Sequence, residues 1–393
     1  MKKIIPYGRQ WIEDDEIKAV VEVLKSDWVT QGSKVEEFER RITEYCGAKF
    51  AVVVSSGTAA LHIACLSAGI EKDDEVITSP ITFVASSNCV LYCGGRPVFA
   101  DIEEDTANIA SGEIKKRIAS KTKAIIPVHF AGHPCDLETI GKIDKEHNLI
   151  IIEDACHSLG AEYRSQKLEW VKIGSCKHSD MTVFSFHPVK HITTGEGGAV
   201  LTNNEDFYEK LLMFRNHGIT KEKTRLINKN EGLWYYEMQE LGFNYRITDF
   251  QCALGIKQLE RVDDFVARRR EIADKYNEAF KDMEAIITPC EKENVKSSYH
   301  LYVIQLKKGL NRKEIFDALR EEGIGVQVHY IPVHLQPYYQ QNLGYKKGDY
   351  PKAEEFYERT LSLPLFPKMS NKEIERVIRI VQKIIHRGKY NQW

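Results

Sequence analysis

Residues 183–199 read VFSFHPVKHITTGEGGA. The opening run, with Val183, Phe184 and Phe186, has the β-branched and aromatic character of a buried strand. Pro188 breaks it, Lys190 follows, and Thr193, Thr194 and a glycine-rich turn over 195–198 lead into a second strand-like run at 199–202. A lysine placed between a buried strand and a glycine turn loses proton affinity in low-dielectric surroundings. Its amine can then attack a carbonyl carbon and form a Schiff base. Taken alone, Lys190 reads far better as an ordinary solvated loop residue. The rest of the chain has to decide.

Upstream of this stretch, short apolar runs alternate with helical periodicity. Strands are expected at 51–54, 75–78, 97–100, 124–128, 149–152, 181–186 and 199–202, with helices at 59–68, 83–92, 112–118 and 137–146. The alternation predicts an α/β fold: a mainly parallel seven-stranded sheet, helices on both faces, and ligand sites at the carboxyl ends of the strands. Residues 1–12 read as an N-terminal arm broken at Pro6 and Gly8. Helical spacing recurs over 14–24 and 35–45, around the loop SDWVTQG at 26–32. Beyond the sheet come a helix at 204–214, a polar loop at 220–232, and one long helix over 248–280 carrying Arg268, Arg269 and Arg270 on a solvated face. A strand at 300–306, a helix at 312–322, a strand at 325–329 and a helix at 371–386 predict a smaller C-terminal α+β domain. The expected division is 1–12 (arm), 13–255 (large domain) and 256–393 (small domain).

Composition narrows the function classes. The 393 residues carry a formal net charge of -2, which offers no bulk attraction to nucleic acid or to anionic membrane. No apolar run approaches the roughly 20 residues that span a bilayer. The nine cysteines are scattered without a CxxC pair, pointing to reduced thiols and a cytoplasmic setting. Cys156-His157 and Cys176-Lys177-His178 lack zinc-ligand spacing, so no metal site is expected.

Four clusters fall at strand ends. Ser56, Gly57 and Thr58 open a helix after the first strand, where free backbone N–H groups suit a phosphate or simple N-capping. Thr82 and Phe83 follow the second strand, and the aromatic can stack on a planar ring or pack in the core. Asp154 follows the fifth, where a buried carboxylate needs a cation such as a pyridinium nitrogen, or a turn to cap. Ser185 and Lys190 complete the set. Phosphate cradle, stacking aromatic, carboxylate and amine are together what pyridoxal phosphate (PLP) requires.

These motifs run essentially end to end in an order that resembles the DegT/DnrJ/EryC1/StrS sugar aminotransferases. The resemblance is carried by SDWVTQG (26–32), SSGTAAL (55–61), PITFVAS (80–86), IIEDACHSLGA (151–161), FSFHPVKHITTGEGG (184–198), RNHG (215–218) and GFNYRITDFQCALG (242–255). It implies a fold type I PLP-dependent transferase in which Lys190 bonds the cofactor, Asp154 meets its ring nitrogen and Phe83 covers its ring. Ser56, Gly57, Thr58 and Ser185 would hold the phosphate, and Asn244 would reach it from a neighbouring subunit, making a homodimer with shared active sites. His157 stands where glutamine is frequent and would contact the ring hydroxyl.

Within that family, Tyr7, the 27–32 loop, His157 and VQVHYIPVHLQPYYQ (326–340) resemble the branch that uses L-glutamate to aminate a UDP-linked 4-keto-6-deoxy-N-acetylhexosamine for pseudaminic acid. By that analogy Tyr7, Asp27, Trp28, Val29, Thr30, His329, Tyr330, Ile331 and Pro332 contact the nucleotide sugar. Lys190 argues against a dehydratase on the same scaffold, which would carry histidine there. A nicotinamide dehydrogenase is disfavoured because no G-x-G-x-x-G follows a strand. A non-catalytic binding protein would have no reason to keep all four clusters. His187 and His191 fit substrate contact or packing alike.

Overall fold

The computed structural model describes residues 4–165 and 169–390, with side chains through 386; the first three residues of the arm lie outside it. Helices α1 (Asp14–Leu24) and α2 (Ser33–Cys46) precede the main sheet. Its strands are β1 (Phe50–Val54), β2 (Glu75–Thr78), β3 (Arg96–Phe99), β4 (Thr122–Ile126), β5 (Ile150–Asp154), β6 (Met181–Ser185) and β7 (Gly198–Thr202). The spatial order is β1-β7-β6-β5-β4-β2-β3, parallel throughout except that β7 runs antiparallel to both its neighbours.

Period-2 alternation distributes each strand between two cores. Val52, Val54, Val183 and Val200 face α3 (Gly57–Ser67) and α4 (Ala85–Tyr92). Ala51, Val53, Phe184 and Ala199 face Phe38 and Ile42 of α2. Burial on both faces explains why the strands read as unbroken apolar runs.

The expected helix over 248–280 is two helices, α5 (Asp249–Leu259) and α6 (Val262–Phe280). Neither Gly nor Pro marks the break. Arg261 leaves helical geometry (φ -111, ψ 3), pairing with Glu13 and Glu16 at 3.1 and 2.8 Å and lying over the Trp11 and Phe265 rings. The arginine run is not a solvated face either. Arg269 is 1 % exposed and donates to the carbonyls of His300 and Leu365, both at 3.1 Å; burial pushes its pKa down to about 9.

The C-terminal part holds an antiparallel sheet of β8 (Ile286–Ile287), β9 (Tyr302–Leu306) and β10 (Thr360–Leu363), packed against α6, α7 (Arg312–Glu321) and α8 (Asn371–Tyr390). Residues 325–329 do not form a strand. Ile324 bridges Ile5 of the arm and Gln327 bridges Ser362, so the arm takes part of the pairing the apolar run suggested. We propose that the small domain begins near residue 256, with the apolar contacts passing from the main-sheet core to the C-terminal core between Val266 and Ile272 of α6.

Candidate active site

Strand polarity brings the ends of β1, β2, β5 and β6 to one side of the sheet. There they enclose a cavity of about 450 Å³. Ser56, Gly57, Thr58, Phe83, Asp154, His157, Ser185, Lys190, Tyr7, His329 and Tyr330 all line it. A wider cleft of about 580 Å³ elsewhere holds none of the strand-end residues, and its Glu39 and Arg215 are paired at 2.6 Å.

The cradle is made at the turn into α3. Ser56 Oγ accepts from Ala59 N at 3.1 Å, so its side chain is an N-cap. That leaves the Gly57 and Thr58 N–H groups in the first turn, where helical carbonyls cannot reach them. Two glycines make the room. A Cβ on Gly57 would stand 2.8 Å from Ser185 Cβ, and one on Gly198 would stand 2.6 Å from the Ser56 carbonyl oxygen. Gly198→Ala must therefore shift the cradle backbone. Cofactor Kd is expected to rise about tenfold or more, measured by titrating apoprotein with PLP, with circular dichroism unchanged.

Neighbouring carboxylates on β5 point to opposite faces. Glu153 is buried beneath the sheet, 2.7 Å from His129 and accepting from Thr182 at 2.9 Å. Asp154 faces the cavity. Its Oδ2 accepts from Ser86 Oγ at 2.5 Å and its Oδ1 from Cys156 N at 3.2 Å. Ser86 is itself 2.6 Å from Thr82 Oγ1. The sequence reading did not weigh Ser86, a small residue one turn beyond Phe83 whose role appears only when β2 and β5 lie together. Phe83 stands at the mouth, 58 % exposed.

Lys190 is half-buried at the cavity floor. Burial lowers its pKa, against the opposing charges of Cys156 and Asp154. The loop bearing it is closed by Phe186 N donating to Gly197 O at 2.8 Å and Thr194 N to Phe186 O at 3.0 Å. Behind it lies a histidine cluster that sequence spacing could not reveal, since His300 comes from another part of the chain. The His157 and His300 rings are 4.3 Å apart, and His191 and His300 5.5 Å apart. His157 Nε2 is 3.2 Å from the Tyr330 hydroxyl, while its buried Nδ1 has no partner among the described residues. His187 reaches the cavity; His191 does not, and donates from Nε2 to Ser298 O at 3.2 Å.

Burial holds the pKa of His157, His191 and His300 well below the ordinary imidazole value, with neighbouring cationic groups adding, and pushes His329 down to about 4. Depressed folded-state values mean stability present above the unfolded pKa and lost as pH falls through the window below it. From about pH 6.5 downward each such histidine removes about 1.4 kcal/mol per pH unit. Urea melts at pH 7.5 and 5.5 are expected to differ by more than one histidine's worth; a flat profile would contradict neutral burial.

Not every expected residue converges. Asp27, Trp28, Val29 and Thr30 do not line the cavity: Trp28 is 65 % exposed and Thr30 bridges Thr248. Ile331 and Pro332 flank it without lining it. Asn244 stands apart, bridged to Asn216. Among the described residues no helix is long and apolar enough to cross a membrane.

The chain resembles known proteins along its whole length. It is 42 % identical to the spore coat polysaccharide biosynthesis protein SpsC of Bacillus subtilis, over 97 % of each chain. It is 38 % identical to the UDP-4-amino-4,6-dideoxy-N-acetyl-beta-L-altrosamine transaminase of Campylobacter jejuni, over 98 % of this chain and 99 % of that one. Its fold matches Helicobacter pylori PseC, an aminotransferase involved in the biosynthesis of pseudoaminic acid, with TM-score 0.90 and 35 % identity, covering 98 % and 100 % of the two chains. Residues 10–382 match the model of the DegT/DnrJ/EryC1/StrS aminotransferase family. Its aminotransferases use PLP, and structural neighbours include PLP and PMP forms. The residues here fit that cofactor: a cradle that either glycine Cβ would obstruct, an oriented carboxylate, a desolvated amine, and the buried His157 Nδ1 that no described residue satisfies. With that match over nearly the whole chain, and that fit, the protein belongs to the DegT/DnrJ/EryC1/StrS aminotransferase family.

Proposed function

We propose that this sugar aminotransferase moves the amino group of L-glutamate to the C4 keto carbon of a UDP-linked 4-keto-6-deoxy-N-acetylhexosamine. The product would be UDP-4-amino-4,6-dideoxy-N-acetyl-β-L-altrosamine, used for pseudaminic acid. The observation that carries the reading is the convergence of Lys190, Asp154 and the Gly57–Ser185 cradle on one cavity whose outer wall is Tyr7, His329 and Tyr330. The Campylobacter jejuni relative and the PseC neighbour support the choice of sugar.

When bound, PLP supplies an electron sink for breaking a bond at the carbon that bears nitrogen. The chain's own residues do the rest. Lys190 Nζ is the amine that bonds the cofactor and, once displaced, takes the proton from the α carbon of the amino donor. In the second half it delivers a proton to C4 of the sugar. Its lowered pKa keeps more free base available near neutral pH. Asp154 would keep the ring nitrogen protonated, Gly57, Thr58 and Ser185 would hold the phosphate, Phe83 would cover the ring, and His157 Nδ1 would donate to the ring oxygen. Tyr7, His329 and Tyr330 orient the sugar. The same reading takes the protein as a cytoplasmic homodimer in which Asn244 completes the partner's phosphate site.

The test is an assay with glutamate and purified nucleotide sugars: UDP-4-keto sugars differing at C5, plus GDP- and dTDP-linked ones, with NMR of the product. Turnover of a non-UDP or a 3-keto sugar alone would end the pathway assignment and leave the PLP chemistry standing.

A further inference from the structure

We propose that Tyr330 is a positioning residue for the cofactor site. Its hydroxyl donates to His157 Nε2, which leaves the proton of that imidazole on Nδ1, the nitrogen that would meet the cofactor's ring oxygen. This role rests on the reading of the pocket as a PLP site, and it gives Tyr330 a task beyond orienting the sugar. Both residues line the cavity although 173 positions separate them in the chain.

A histidine ring has two closely similar orientations about its last side-chain torsion, and when neutral it carries one proton on either nitrogen. The fold removes the first freedom. The His300 ring packs against His157, with centroids 4.3 Å apart and planes tilted by 36°. Packing of this kind holds the plane of the ring without using its in-plane nitrogens. His300 is itself held by its carbonyl, which accepts from Arg269 at 3.1 Å. Ser298 Oγ donates to the His157 carbonyl at 3.1 Å and ties the backbone to the same segment. Placing the proton falls to Tyr330. Its hydroxyl is 3.2 Å from Nε2, whereas Nδ1 is buried with no partner among the described residues.

The contact has two polarities. If Nε2–H donated to the Tyr330 oxygen, Nδ1 would present a lone pair, and against a ring oxygen two acceptors would meet in a buried place. If the Tyr330 O–H donates to Nε2, Nδ1–H is a donor and both ends are satisfied. Burial, with the neighbouring cationic Lys190 adding, holds His157 neutral, so it has no second proton to give. Burial also keeps the Tyr330 hydroxyl protonated, with Tyr7, Asp154 and Cys156 adding. Only the second polarity serves the cofactor.

In apoprotein carrying labelled histidine, nitrogen NMR is expected to show His157 protonated at Nδ1 and bare at Nε2. Its signals are assigned by their loss in His157→Gln or their shift on adding PLP. Tyr330→Phe deletes only the hydroxyl; there the two forms should mix, and the Kd for PLP should rise about fivefold. The glutamate half-reaction, followed in single turnover by the cofactor's absorbance with no sugar present, should slow by about the same factor. Glutamine at 157 always carries an amide N–H to donate, so adding Tyr330→Phe to His157→Gln should change that rate by less than about twofold. A proton on Nε2 in the unaltered apoprotein would overturn the proposal and leave the aminotransferase reading standing. So would a Tyr330→Phe enzyme that raises only the KM for sugar while the glutamate step is untouched. An unaltered protein that takes up no PLP would end both. The NMR measurement is made on the unaltered chain and holds whether or not a variant folds.

Discussion

Lys190→Ala is expected to lose turnover by at least about 10³-fold and to lose the visible absorbance of bound cofactor. The size follows from what the amine does at two points. In the proposed reaction it is the nucleophile that bonds the cofactor, and the base that carries a proton between the two carbons that exchange nitrogen. No neighbour can replace it. His187 is exposed, His191 donates to Ser298 O behind the loop, and His157 is held neutral well below the range of a working base. Truncation also removes a cation from beneath the histidine cluster, where Lys190 adds to the depressed values of His157, His191, His300 and His329. The variant should therefore fold, with a smaller loss of stability in acid, because the histidine values rise toward the unfolded one and the window narrows. Added small amines should recover part of the rate without restoring the colour of the resting enzyme. A yellow, active Lys190→Ala would remove this residue from the chemistry.

The sheet was legible because doubly buried strands must be apolar along their whole length, and the chemistry-bearing residues follow them directly. Ser56–Thr58, Phe83, Asp154 and Ser185–Lys190 each come a few positions after an apolar run, so strand polarity alone collects them. What stayed hidden depends on partners far away in the chain. The break at Arg261 is set by Glu13, Glu16 and Trp11, none of which the helical periodicity of 248–280 reports. Arg269 looked solvated beside two other arginines, yet the carbonyls of His300 and Leu365 accept its protons in the interior. The run at 325–329 was apolar enough for a strand, but Gly325 N donates to Ile5 O of the arm at 2.7 Å instead of entering a ladder. Family motifs pointed to Asp27–Thr30 as sugar contacts, while within one chain that loop packs beside Thr248 and Asp249. His300 is the plainest case. A lone histidine in a strand-like run carries no sign that it will stack on His157.

Asp154→Asn is expected to cost about 10²- to 10³-fold in kcat while leaving the apoprotein folded. The substitution keeps the side-chain shape and one oxygen. The amide can still accept from Ser86 Oγ or from Cys156 N, the two donors that now fix the carboxylate at 2.5 and 3.2 Å. What it loses is the full negative charge facing the cavity. A ring nitrogen beside a neutral amide gives up its proton more readily, and an unprotonated ring is a weaker electron sink. The chemical step should slow far more than substrate binding weakens, so kcat falls with little change in KM. Ser86→Ala separates charge from orientation. It removes a hydrogen bond to a charged group, costing about 1.5–3 kcal/mol of stability, yet keeps the carboxylate and so should lower kcat by only about tenfold. The expected order of damage to kcat is Lys190→Ala, then Asp154→Asn, then Ser86→Ala, read from single-turnover rates with saturating glutamate. An Asp154→Asn enzyme within about fivefold of the unaltered rate would mean that hydrogen bonding, and not charge, is what this carboxylate provides.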